Sequence, residues 1–212
     1  MWIFPGGFNI LDGGYANLDT LFVISPWVFL FLVPAVTMRL FSEEKKTGTM
    51  ELLLTRPLSD FTIVFAKFLS GLFLVFLSLL PTVIYYISVY IMGSPVGNLD
   101  SGGIMGSYIG LFFLAAIYVS IGLLASSITD NQIVAFILSM ALCFVFYFGF
   151  DALSSLPVLK SFDSIIVSLG INDHYRSISR GVIDSRDIVY FISIVAVFLF
   201  FSKTVLTRRK WK

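Results

Sequence analysis

The sequence predicts an all-α fold, a polytopic membrane helix bundle with five spanning helices in a single domain over residues 1–212. Two observations carry this. Hydrophobic residues make up 58% of the chain and charged residues 13%, far from the balance of a soluble domain. The apolar residues fall in five runs of membrane length, while most charged residues lie between the runs.

The first run, residues 20–38, can cross a hydrocarbon layer of ~30 Å at a rise of ~1.5 Å per residue. Pro26 and Pro34 are expected to kink it. Residues 1–19 contain Asp12 and Asp19 but no Lys or Arg, so they lack the basic start of a signal peptide. With Met1-Trp2-Ile3-Phe4-Pro5 at their head, they read as the outer end of an earlier span. Ser59 and Asp60 can cap a long helix over 61–92, of membrane length from 68 to 92, with Lys67 within snorkelling reach of headgroups. The third run, 104–128, holds Gly106-x-x-x-Gly110 and Ala116-x-x-x-Ser120, spacings that allow close helix approach but also arise by chance in apolar sequence. Thr129-Asp130-Asn131-Gln132 is a hairpin tip before the fourth run, 133–150, which ends in aromatic residues. The fifth run, 188–206, is followed by Arg208, Arg209, Lys210 and Lys212.

Two connections stand out. Residues 38–67 hold all three glutamates (Glu43, Glu44 and Glu51) and five of the fourteen Lys and Arg residues. Within the loop over 39–60, Thr49 is a plausible N-cap, Glu51 suits the first turn and Pro57 ends the helix. Met50, Leu53 and Leu54 then form an apolar stripe that headgroups or a protein partner must cover. The second connection, 151–187, shows Phe162, Ile165, Ile166 and Leu169 at helical spacing, and Tyr175, Ile178 and Val182 suggest another short helix. These read as amphipathic helices, either lining a path or resting on lipid. Asp184, Arg186 and Asp187 read as a locally paired cluster. His174, without a second ligand nearby, reads as solvated rather than metal-bound.

Basic residues concentrate in 39–60 and in the tail, and none occurs in 93–103, which predicts that loop and C-terminus are cytoplasmic and that 151–187 is extracytoplasmic. Several function classes are excluded. Cys143 is alone, so no internal disulfide forms. No basic patch interleaved with aromatics suits nucleic acid. No Asp or Glu lies inside a predicted span, as ion-coupled carriers require, and no base stands ready to activate a span serine, so the chain reads as non-catalytic. No phosphate-binding loop is present, so energy must come from another chain.

Arg39-x-Phe41-x-x-Glu44, Gly48-Thr49-x-Glu51-x-Leu53-Leu54, Arg56-Pro57 and the later Lys67 resemble the first cytoplasmic loop of ABC-2 type permeases. Asn131-Gln132-Ile133-Val134-Ala135-Phe136 and residues 177–187 extend the resemblance, which is nearest to the gliding-motility-associated, GldF-type permeases. It implies a multi-pass permease of the bacterial inner membrane, an exporter by expectation, working with a cytoplasmic ABC ATPase that binds the ATP and Mg. It further implies a second permease, identical or different, and surrounding membrane lipid. The ATPase would couple through Gly48, Thr49, Met50, Glu51, Leu53, Leu54, Arg56 and Pro57. Arg39, Glu44 and Lys67 would form an inner-face motif, with Arg39 and Glu44 as an orienting ion pair. The family pattern has six spans, so the first is expected to be missing from this sequence. The alternative is an anchor or scaffold in a larger envelope machine, without transport of its own.

Overall fold

The computed structural model describes residues 17–51, 58–157, 163–182 and 184–209. In chain order its helices are α1 (Asp19–Thr37), α2 (Arg39–Thr47), α3 (Asp60–Leu79), α4 (Val83–Met92), α5 (Ser101–Ile128), α6 (Gln132–Phe144), α7 (Phe150–Ser154), α8 (Asp163–Ser168), α9 (Ile171–Ser179) and α10 (Ser185–Arg209). A 3-10 turn, Leu80–Thr82, joins α3 to α4, and a π-helical segment, Val145–Gly149, joins α6 to α7. Among the described residues, five stretches are long and apolar enough to cross a membrane: Asp19–Thr47, Asp60–Met92, Ser101–Ile128, Gln132–Ser154 and Ser185–Arg208.

Short polar side chains start three of the spans by accepting orphan backbone N–H groups. Ser59 Oγ accepts from Thr62, Asp100 Oδ1 from Gly103, and Asn131 Oδ1 from Ile133 and Val134. The first span continues as helix through Pro26 and Pro34 and is interrupted at Met38, between α1 and α2. The fourth span runs past the predicted end at 150 to Ser154, through the π segment in its aromatic run.

Helix α5 is the hub. It is apolar all round, which suits a helix surrounded by others, and Leu114, Ile117, Val119, Ile121 and Leu123 are fully buried. The other spans keep one apolar flank open, for example Phe31, Phe73, Ile137 and Phe200, as expected of surfaces facing lipid. Gly106-x-x-x-Gly110 is a packing face. A Cβ on Gly106 would strike the Ile178 carbonyl oxygen and stand 2.9 Å from Gly181 Cα, and one on Gly110 would lie 3.2 Å from the Tyr175 ring. The two glycines therefore seat α9, a short helix outside the spans.

The connection over 151–187 thus packs partly on protein rather than as a sheet of helices on lipid. Tyr175 is buried, and its hydroxyl donates to the Phe22 carbonyl at 2.9 Å. Burial pushes this phenol up from its ordinary pKa. Asn172 Nδ2 donates to Asp151 Oδ2 at 2.5 Å, and Ser107 Oγ donates to the Ser179 carbonyl at 3.3 Å.

His174 and Asp187 correct two sequence expectations. His174 is not simply solvated: its side chain is 15% exposed, Nδ1 lies 2.6 Å from Asp187 Oδ1 and Nε2 lies 2.8 Å from the Ser168 carbonyl. Its ring stacks on Tyr190 at 3.8 Å. Asp187 therefore bonds to α9 rather than to a charge next to it in sequence, while Asp184 Oδ1 accepts the Arg186 backbone N–H. The physical reason is the fold-back of α9 against α10, which sequence spacing does not reveal. Phe162, which began the predicted amphipathic helix, and Leu53, Leu54, Arg56 and Pro57 lie outside the described residues.

Candidate functional site

The site forms where α2 leaves the first span and meets the start of α3. Gly48 ends α2 in the left-handed region, with φ of +75°, a conformation that costs a glycine little. Its N–H bonds to the Lys45 carbonyl at 3.4 Å. Thr49 follows, 2.9 Å from Thr47 by their hydroxyl oxygens, and the chain is helical again at Met50 and Glu51. Met50 is buried in the core of this chain, with 1% exposure, while Glu51 faces outward.

Lys67 ties this segment to the second span. Its Nζ donates to Glu44 Oε1 at 2.6 Å and to the Leu40 carbonyl at 2.5 Å, and it stands 5.0 Å from the centre of the fully buried Phe41 ring. A charge-assisted bond, a carbonyl and a ring face together hold the ammonium in one place. The lysine therefore does not reach away to headgroups, and Glu44 pairs with Lys67 rather than with Arg39, which is exposed. Sequence could not give this partner: Lys67 and Glu44 are 23 residues apart and lie on different helices, α3 and α2. Of the predicted motif, the fold unites Glu44 and Lys67 and leaves Arg39 outside.

Two further links were not legible. Lys45 Nζ donates to the Ser127 carbonyl in the last turn of α5, where helix carbonyls lack intrahelical partners. Thr207 Oγ1 donates to Asp60 Oδ2 at 3.0 Å, joining the fifth span to the start of α3. A backbone carbonyl leaves no trace in side-chain patterning, so the first link had no signal. Together these contacts connect the segment after α1 to α3 and α5.

A family model described as ABC-2 family transporter protein matches residues 26–180, well over half the chain and inclusive of this segment. The chain belongs to the ABC-2 transporter family. It is a transmembrane permease component, and membership in an ABC transporter implies a partner ATPase. No curated protein sequence matches the chain. In this permease, the described part of the predicted coupling loop is anchored through Met50, Glu44 and Lys67 rather than lying free on the surface.

Proposed function

We propose that the permease is the membrane subunit of an ATP-driven exporter of the gliding-motility-associated type, oriented with Lys67 and the C-terminus at the cytoplasmic face of a bacterial inner membrane. A separate ATPase docks on the helix that begins at Met50, and a second permease completes the pathway. The observation that carries this reading is the Lys67–Glu44 bond, 2.6 Å long, because it gives a push on residues 48–57 a direct route into α3. Met50, buried, roots the helix, and Leu53 and Leu54 supply the apolar ridge toward the ATPase groove. Motion of α3 passes to α5 and changes access between the membrane faces. The gliding-motility and export assignments are supported by the resemblance of the loop and of residues 131–136 and 177–187.

The test is a double variant, Leu53→Asp with Leu54→Asp, expressed with the neighbouring ATPase. ATPase co-purification should be lost while membrane insertion and the melting temperature of the permease stay at wild-type values. Unchanged co-purification would overturn the docking assignment.

A further inference from the structure

His174 is the one histidine of the chain, and the fold gives each of its ring nitrogens an oxygen. Nδ1 lies 2.6 Å from Asp187 Oδ1 on α10, and Nε2 lies 2.8 Å from the Ser168 carbonyl oxygen at the end of α8. A carbonyl can only accept, and so can an ionised carboxylate. A neutral imidazole has a single N–H, so it satisfies one of these oxygens and turns a lone pair on the other. Making both bonds takes one more proton, held as imidazolium beside carboxylate or as neutral ring beside carboxylic acid.

The surroundings favour the imidazolium. The ring stacks on Tyr190 with centroids 3.8 Å apart and planes 22° apart, and an aromatic face attracts a cation. Asp187 is buried, its Oδ2 is without a hydrogen-bond partner among the described residues, and the imidazolium is the cation that pairs it. The other ionisable groups on the elements around the ring are engaged elsewhere or open to solvent. On α9 Asp173 and Arg176 are exposed, and on α10 Asp184 and Arg186 are exposed, with Asp184 accepting the Arg186 backbone N–H. Asp151 accepts from Asn172, and the Tyr190 hydroxyl donates to the Leu169 carbonyl at 2.6 Å. Helix α5 has no Asp, Glu, Lys or Arg, and α8 carries Asp163 at its first position.

We propose that His174 is a proton-dependent latch that fastens the end of α8 to α9 and α10. With the proton bound, Nδ1–H donates to Asp187 and Nε2–H donates to the Ser168 carbonyl. When Nε2 gives its proton to solvent, Nδ1–H stays on the Asp187 carboxylate, the Nε2 lone pair faces the Ser168 oxygen, and the end of α8 comes away. The closed latch binds the proton and the open one does not, so it is closed at low pH and opens as pH rises. Imidazole is the side chain suited to change charge in the physiological range. Helix α9 stays in place, because Gly106 and Gly110 seat it without a titrating group. The latch is independent of ATPase docking and of which membrane face this end lies on.

The experiment uses the full chain with isotope-labelled histidine, purified in mild detergent through a tag free of histidine, so that the two ring nitrogens give the only labelled NMR signals. Between about pH 5 and about pH 9, both nitrogens should be protonated at the acid end and the neutral ring should carry its proton on Nδ1 at the alkaline end. Over the same range the amides of Leu169 and Gly170, bonded to the Ile166 and Val167 carbonyls, should lose protection from hydrogen exchange. After correction for intrinsic exchange the loss should be about tenfold, the effect of one hydrogen bond. Gly181, whose N–H bonds to the Ile178 carbonyl beside the glycine seat, should keep its protection. In His174→Gln, protection at Leu169 and Gly170 should no longer change with pH, and Asp187→Asn should move the transition of the ring to lower pH. A ring neutral at the acid end, a neutral form protonated on Nε2, or wild-type protection that is flat with pH would each overturn the proposal. So would an equal loss at Gly181, or a loss that persists in His174→Gln.

Discussion

The two ends of the bundle hold their extramembrane helices by different physics. At the Lys67 end, α2 continues outward from the first span, and two long cations tie it to its neighbours: Lys67 reaches in from α3 to Glu44 and Leu40, and Lys45 reaches out from α2 to Ser127 on α5. At the other end α9 lies directly on α5 because Gly106 and Gly110 present no side chains, and polar bonds such as His174 to Asp187 are added on top. A tether of flexible side chains tolerates displacement, because its bonds can lengthen or re-form one at a time. A backbone-close contact does not, since a small gap forfeits much of the dispersion gain over the whole face. The polar links of α2 are therefore expected to tolerate displacement better than the glycine seat of α9.

Breaking the close contact should have the largest effect. Gly106→Leu places a side chain where the Ile178 carbonyl and Gly181 stand, and should destabilise the permease by about 3 kcal/mol or more. Thermal unfolding of the purified protein measures this, and a wild-type melting temperature would erase the contrast between the ends.

Lys67→Met removes the cation from Glu44, whose Oε2 is already buried without a hydrogen-bond partner. The pair is 17% and 27% exposed, so water offsets part of the loss and about 1–2 kcal/mol is expected. Amide hydrogen exchange should rise across residues 39–51 and stay at wild-type levels in 171–179. A rise at both ends alike would show that the tether is not local.

The smallest of the three is expected from His174→Ala, which removes a hydrogen-bonded ring seated over α9's neighbours but leaves the glycine contact whole. About 1 kcal/mol is expected, because the close packing of α9 on α5 remains. Exchange should increase at residues 168–174 with ATPase co-purification unchanged. Loss of α9 protection down to Ile178 would mean that the polar bonds, and not the glycines, hold this end.

The legible part of the fold was the part that hydropathy encodes. Five apolar runs became five spans, and Ser59 could be assigned as a cap because an N-cap is a contact between residues three apart. The short helices α8 and α9 were visible in the spacing of Ile165, Ile166, Tyr175 and Ile178. The candidate site was legible only as a cluster of residues. Glu44 and Lys67 were singled out by resemblance, but the partner first assigned to Glu44 was Arg39, its near neighbour in sequence, because no periodicity links residues on two separate helices. His174 was misread for the same reason: its acid, Asp187, follows a turn that folds α9 back on α10.

Composition and spacing by themselves determined that this polypeptide must live in a bilayer, how many times it can cross, and that no ATP-binding loop lies within it. Those are properties of residues against solvent, and each residue carries its own share. Only the tertiary structure decided which helix is central, that Gly106 and Gly110 receive α9, and that Lys67 closes on Glu44. Those are properties of pairs far apart in sequence, and a pair's energy exists only once the chain has brought its two members within contact distance.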